Sequence, residues 1–318
     1  SGNTWGIAYT TSTWNPVVAY LQSVSSVSET VAVATGWDSN NYGGMYRTAN
    51  AGVSWTQVYT TPQSVNYMTS VTHLTGVGSF AVGRTPLNYG MVWKSTDNGV
   101  TWSNVFTDIS VSYLQCIIAV NSTTLIAVGY DAVGYGLVYR STDSGATWTQ
   151  TYTTNVAANL QSVTAVSETI FVALGKSGAN QGVVWRSVNG GDTWTLAATL
   201  DEISTPSAIT KAAGSVMVAV GYNSSNHGKV YRSTDAGASW NLVYTASATA
   251  YLRSVTVVNS STLVAVGYDA SNAYGVVYRS TDVGVTWSLV YTSPVAAYLQ
   301  SAAKLTDTTL LAAGYNAN

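Results

Sequence analysis

The sequence predicts an all-β chain folded as a seven-bladed β-propeller of four-stranded antiparallel blades, on three observations. A tryptophan recurs at Trp55, Trp102, Trp148, Trp194, Trp240 and Trp287, with gaps of 46 or 47 residues along a 318-residue chain. Each period holds four short segments of alternating apolar and polar residues, rich in Val, Ile, Tyr and Thr and divided by Gly, Asn, Asp and Ser. No segment of helical period and helical length competes with them. Four strands in a fixed period of about 40–50 residues is the pattern of a propeller blade.

Each strand can be read in turn. In one period they are LQCIIAV (114–120), TLIAVG (124–129), GLVYRS (136–141) and TWTQTYT (147–153). The first-strand motif begins at Tyr20, Tyr67, Tyr113, Asn159, Thr205, Tyr251 and Tyr298, which is seven times. The second strand also recurs seven times, ending at glycines from Gly36 to Gly314, whereas the third occurs six times. Residues 1–318 therefore read as one domain, with six complete repeats and a seventh blade shared by residues 1–10 and 298–318. The segment TWGIAYT, with Trp5, would supply its outer strand. From Gly267 to Trp287 there are 20 positions, but the two termini together offer nine between Gly314 and Trp5. The shortfall of eleven matches Asn272–Asp282, the third strand. The closing blade lacks that strand, or a partner donates it, or the residues lie outside this sequence.

Composition narrows the function. Charged residues make up 8%, against about 25% in ordinary soluble domains. The net charge of −2, with the basic residues scattered, leaves no footprint for nucleic acid. A surface kept apart by so few charges favours association with itself or with neutral partners. Trp (11) and Tyr (22) outnumber Phe (3), so the aromatic surface carries polar handles. One cysteine, Cys116, excludes an internal disulfide and a thiolate zinc cluster. No stretch approaches 18 apolar residues, so no membrane span is expected. No signal peptide is visible, and the opening SGNTW reads as a processed or trimmed start.

The most specific motif is S-x-D-x-G-x-x-W, as in STDSGATW (141–148). Its acidic position reads Asn50, Asp97, Asp143, Asn189, Asp235 and Asp282, and two residues on stand Gly52, Gly99, Gly145, Gly191, Gly237 and Gly284. A short side-chain oxygen at this spacing can accept from turn N–H groups. The glycine allows a backbone angle that a Cβ would penalise. Asn twice replaces Asp, which an acceptor tolerates and an acid would not. The motif is expected to fold hairpins.

These repeats resemble the BNR/Asp-box propellers, a class that spans sialidases, sortilin-type receptors, xyloglucan hydrolases, photosystem II assembly factors and lectins. The resemblance implies the architecture and leaves the activity open. Sialidases of the class grip a carboxylate with three arginines. Here Arg47, Lys94, Arg140, Arg186, Arg232 and Arg279 share one scaffold position, and only Arg84 and Arg253 fall outside it. A glycosidase also needs two carboxylates at a set separation. Glu29 and Glu168 would sit on different blades at the same rim with Glu202 in a loop, and nothing singles out a pair among them. His73 and His227 suggest no metal cluster, Cys116 reads as a small buried thiol, and no cofactor is implied. The chain is expected not to be an enzyme.

Up-and-down connectivity puts the turn after strand two and the link between blades on one face. That face collects Tyr20, Tyr67, Tyr113, Tyr251 and Tyr298 from the links. After the second-strand glycine come Trp37, Arg84, Tyr130, Lys176, Tyr222, Tyr268 and Tyr315, and before the third strand Tyr42, Tyr89, Tyr135, Gln181, His227 and Tyr274. Asp38, Asp131 and Asp269 lie among them. Rings for sugar C–H faces beside short carboxylates for hydroxyls suit neutral glycans, and repeated sites would add avidity. The expected partners are glycans or glycoproteins, bound by a secreted, lectin-like protein. Self-assembly into an extracellular scaffold is the second expectation and glycoside hydrolysis the third. Sequons at Asn121, Asn223 and Asn259 agree with secretion.

Overall fold

The computed structural model describes residues 19–64, 67–110 and 112–316. Among them the chain is strand and turn without a helix, and it folds as a β-propeller. The first unit pairs β1 (Ala19–Ser26), β2 (Ala32–Asp38), β3 (Tyr42–Thr48) and β4 (Thr56–Ser64) in antiparallel order. The second unit repeats this with β5 (Tyr67–Leu74), β6 (Gly78–Arg84), β7 (Gly90–Ser95) and β8 (Ser103–Asp108). Next come β9 (Ser112–Ala119), β10 (Leu125–Asp131), β11 (Tyr135–Ser141) and the start of β12 (Thr149–Ala165). The end of β12 opens the fourth unit, with β13 (Phe171–Ser177), β14 (Gly182–Ser187) and β15 (Thr195–Leu200). The fifth is β16 (Thr205–Ala213), β17 (Val216–Tyr222), β18 (His227–Ser233) and β19 (Asn241–Thr249). The sixth is β20 (Tyr251–Val257), β21 (Leu263–Tyr268), β22 (Tyr274–Ser280) and the start of β23 (Ser288–Lys304). The end of β23 pairs with β24 (Leu310–Asn316). The expected N-terminal strand around Trp5 lies outside the described residues.

Two features depart from the sequence pattern. The second strands do not alternate in burial: Ala32, Val33 and Ala34, like Leu125 to Val128 and Met217 to Val220, are all fully buried. Sheets stack face to face, so both sides of a middle strand are covered, and at about 1.5–3 kcal/mol per large apolar side chain these strands dominate the core. The second departure is that an outer strand and the next inner strand run on as one. Residues 149–165 contain neither Gly nor Pro, while β23 runs on through Pro294. The Gly136 N–H donates to Thr154 Oγ1 (2.7 Å), whose hydroxyl donates to the Val156 carbonyl (2.7 Å), tying the crossing segment to the third strand. Ser293 repeats the arrangement in β23.

Neighbouring units are joined by repeated hydrogen bonds. Inner-strand serines accept from the next inner strand: Val71 N–H on Ser23 Oγ (3.2 Å), Ile117 on Ser70 (3.3 Å) and Ile209 on Ser162 (3.1 Å). The series closes when the Val24 N–H donates to Ser301 Oγ (3.3 Å), across 277 positions of sequence. Ala303, Leu305 and Ala313 pack with Val24, Ala32 and Tyr46 at the same joint.

The cations before each hairpin form a second series. Arg47 Nε donates to the Asn98 carbonyl (2.9 Å), Lys94 Nζ to Ser144 (2.8 Å), Arg140 Nη1 to Gly190 (2.7 Å), Arg186 Nε to Ala236 (2.9 Å) and Arg232 Nε to Val283 (2.9 Å). Every acceptor residue is left-handed, with φ between 56° and 73°. That conformation turns its carbonyl out of the hairpin towards the preceding unit.

Candidate functional site

The S-x-D-x-G turns use their carboxylates internally. Asp143 Oδ1 accepts from Ser141 Oγ (2.8 Å) and the Thr147 N–H (2.9 Å), while Thr147 Oγ1 donates to Oδ2 (2.5 Å). The Gly145 N–H donates to Ser141 Oγ (2.9 Å). Hydroxyl and N–H donation from Thr147 holds the Asp143 carboxyl at about 2, and Thr101 does the same for Asp97. Desolvation works against Asp235 and Asp282, but the Ser239 and Thr286 bonds outweigh it and bring both to about 2. Asn50 and Asn189 accept from Ser54 N–H (2.9 Å) and Thr193 N–H (3.0 Å) on the same atom. Only the last bond reverses, since their Nδ2 donates to the Ser54 and Thr193 hydroxyls. The ring N–H of Trp102, Trp194, Trp240 and Trp287 donates to the carbonyl of Gly99, Gly191, Gly237 and Gly284. Trp148, although buried, leaves its ring N–H without an acceptor among the described residues, and Trp55 is half-buried against the cluster that holds Val24, Ala32 and Tyr46, with Gly52 close to Leu311.

The aromatic residues gather at the other end of the units. The residue that opens strand one stands directly opposite the residue that follows the second-strand glycine. The pairs are Tyr20–Trp37, Tyr67–Arg84, Tyr113–Tyr130, Asn159–Lys176, Thr205–Tyr222, Tyr251–Tyr268 and Tyr298–Tyr315. The glycine makes the pairing possible, because a Cβ on Gly83 would stand 2.0 Å from the Tyr67 carbonyl oxygen.

Contacts within a unit then alternate with contacts to the next. Tyr222 meets Tyr251 (ring centroids 4.4 Å apart), Tyr251 meets Tyr268 (5.0 Å), Tyr268 meets Tyr298 (4.6 Å) and Tyr298 meets Tyr315 (5.1 Å). Tyr315 meets Tyr20 (5.1 Å), Tyr20 meets Trp37 (6.1 Å) and Trp37 meets Tyr67 (5.0 Å). The Arg84 guanidinium continues the series, 4.8 Å from the Tyr67 ring and 4.7 Å from Tyr113, which stacks on Tyr130 (4.9 Å). These separations lie within the range of favourable ring pairs and cation–π contacts. All of these rings are half-buried, wedged between units with an edge left open. They adjoin one another in a girdle and do not stand apart as separate pockets.

Two side chains interrupt or modify the girdle in ways the repeat pattern understates. The strand-one bulge falls at the third residue of YLQSV, where Arg253 replaces the usual Gln. A bulge re-aims the side chain, and Arg253 lies among Tyr222 (5.3 Å), Tyr251 (5.8 Å) and Tyr268 (5.4 Å), donating to the Tyr268 hydroxyl (2.8 Å). At the fourth unit Asn159 and Lys176 take the places of two rings, and a depression of about 530 Å³ opens beside Tyr113 and Tyr130.

The other expected binding residues serve the loops. Asp38 Oδ1 accepts from the Asn40 and Tyr42 N–H groups (both 2.8 Å), and Asp131 Oδ1 from Val133, Gly134 and Tyr135 (2.8–2.9 Å). Asp269 Oδ1 accepts from Ser271 (2.6 Å). These carboxylates hold the turns that the sequence assigns to hydroxyl binding. Tyr42, Tyr89 and Tyr135 are half-buried beside the girdle, and Tyr274 is 38% exposed. Among the sequons, Asn121, Asn223 and Asn259 each use Oδ1 to accept turn N–H groups. Among the described residues no three His, Cys, Asp or Glu side chains come together as a metal site, and no helix is long and apolar enough to cross a membrane.

Similarity to known proteins bears on the fold. A YCF48 structure bound to a D1 peptide superposes with a TM-score of 0.69 at 16% identity, covering 95% of this chain and 91% of its own. YCF48 from Cyanidioschyzon merolae gives 0.66 at 16% identity, with 95% and 94% covered. A protein from Lactobacillus plantarum gives 0.65 at 12% identity, with 86% and 84% covered. No curated protein sequence matches. The DUF6242 beta propeller domain matches residues 86–252, just over half of the chain, and the protein belongs to that family.

Proposed function

We propose that this chain is a non-catalytic glycan-binding propeller, with the aromatic girdle as its binding surface. The observation that carries the reading is the succession of half-exposed rings from Tyr222 round to Tyr130, presented by rigid strand ends. Ring faces and edges with phenolic hydroxyls match sugars, which offer C–H faces and hydroxyls together. The rings touch, so the surface suits an extended or branched chain better than many isolated monosaccharides.

The reading takes the propeller to be seven-bladed and of the Asp-box type. Seven inner strand segments in cyclic succession, closed at Val24 and Ser301, support that count. The same hydroxyl-to-Oδ1 bond in six hairpins, Ser to Asp in four and Thr48 to Asn50 and Ser187 to Asn189 in two, supports the second part. The hairpin carboxylates are taken up by their own turns, which favours a structural role for them. Secretion belongs to the same reading, with the sequon amides at turns in its favour.

A glycan array of neutral and acidic oligosaccharides tests the proposal, with Trp37→Ala as the control. Binding that the variant weakens is expected, and silence across the array overturns it. A fluorogenic glycoside panel gives no turnover on this reading. Self-association is the second reading, favoured by Leu196, Leu242 and Leu289, exposed at one position of successive outer strands. Light scattering that shows a monomer at high concentration removes it.

A further inference from the structure

Most of the cations in this chain are engaged. Arg47, Lys94, Arg140, Arg186 and Arg232 donate to the next unit, Lys211 to the Val166 carbonyl, and Arg253 to Tyr268. Lys229 pairs with Glu202 (2.9 Å), Lys304 with Asp307 (2.5 Å), and Arg279 also has a partner. For Arg84 and Lys176 the described residues supply neither a hydrogen-bond acceptor nor a carboxylate within ion-pair distance. Both line the same depression, at the one unit where the girdle carries Asn159 and Lys176 in place of rings.

We infer that this depression is a carboxylate-binding site. Rings on either side flank the Arg84 guanidinium, which lines the depression with no acceptor for its N–H groups among the described residues, and a planar guanidinium matches a carboxylate in bidentate geometry. Lys176 adds a second charge to the lining from β13 of the fourth unit. Asp131 also lines the site, but three turn N–H groups hold its Oδ1 and it pairs with neither cation. Two cations against one carboxylate leave a single positive charge, which suits a carboxylate monoanion better than a phosphate dianion. Asn159 and Asn180 offer amides to the rest of the ligand, and the stacked Tyr113 and Tyr130 offer it a ring wall. Resting on the glycan reading above, the inference makes that ligand a sugar acid, the carboxylate replacing a hydroxymethyl group.

The decisive comparison is methyl β-D-glucuronide against methyl β-D-glucoside, which differ at that one carbon, by calorimetry or by NMR of the whole chain. A companion pair is N-acetylalanine against its amide. The expected result is a preference of about tenfold or more for the glucuronide, the size of one charge-assisted hydrogen bond. It shrinks as salt rises and disappears in Lys176→Gln. Arg84→Gln also removes a stacking partner of two rings, so Lys176→Gln, at a half-exposed position, is the variant free of that packing loss. Equal binding of the two sugars, unchanged by Lys176→Gln, overturns the site and leaves the glycan reading standing. If both sugars fail and N-acetylalanine is preferred over its amide in the same Lys176-dependent way, the carboxylate site stands. The ligand is then a peptide terminus and not a sugar acid, and the oligosaccharide array decides the glycan reading. No preference for either carboxylate overturns the inference outright.

Discussion

Arg232 Nε donates a 2.9 Å hydrogen bond to the carbonyl of Val283, a β-branched residue held at φ 59°. Left-handed backbone is costly for any residue with a Cβ, and most costly for a branched one. The hairpin of the sixth unit accepts that strain, and its carbonyl meets the cation of the fifth.

Val283→Gly is expected to stabilise the protein by about 0.5–1 kcal/mol. It removes the left-handed penalty and keeps the carbonyl, offset in part by glycine's extra freedom when unfolded. Arg232→Ala is expected to destabilise by about 1–2 kcal/mol, through loss of a hydrogen bond from a charged donor. Thermal unfolding of the two variants should therefore move in opposite directions.

Acid should loosen the hairpins. Asp97, Asp143, Asp235 and Asp282 sit at about 2, below the ordinary 3.8. A depressed folded-state value means the stabilisation is fully present above about 4 and lost as pH falls towards 2. Asp→Asn at all four positions, following Asn50 and Asn189, should flatten that part of the stability curve. The groups are largely exposed, so the effect per site is small and salt-sensitive. Urea midpoints at pH 2.5 and 6 measure it, and an equally steep loss in the fourfold variant would contradict it.

Gly83→Ala should cost about 2–3 kcal/mol, since the added methyl would be driven into the Tyr67 carbonyl oxygen. The pairing of Tyr67 with Arg84 would open with it. A variant with unchanged melting would show that the strands relax freely there.

Cys116 stands in the inner-strand series occupied by Ser23, Ser70, Ser162, Ser254 and Ser301; it is half-buried, not fully buried as the sequence suggests, and desolvation of the thiol raises its pKa. Slow reaction with a thiol reagent at pH 8 is expected in the native state, and rapid reaction in urea. Cys116→Ser should change stability by no more than about 0.5 kcal/mol.

The periodic tryptophan and four segments per repeat were enough to predict a β-propeller, because a stacked unit must repeat the residues that bury it. The roles of Asp143 and Gly145 were legible for a similar reason, since their bonds span four residues or fewer, whereas the Thr147 hydroxyl bond to Asp143 came only with the structure. The long strands β12 and β23 were less so, because continuity across two units depends on Thr154 and Ser293 meeting a different strand. The loop carboxylates Asp38 and Asp131 look free in sequence and prove to hold turns.

The amino-acid order alone determined the strands, the repeat, the hairpin chemistry and which end carries the tyrosines, all of them local or periodic properties. Only the tertiary structure decided that those tyrosines touch across units, that Arg84 lies between two of them, and that Arg84 and Lys176 share a depression. Those relationships join residues from 17 (Tyr67 and Arg84) to 295 (Tyr20 and Tyr315) positions apart in the sequence, brought together by the curvature of stacked sheets, which no local pattern encodes.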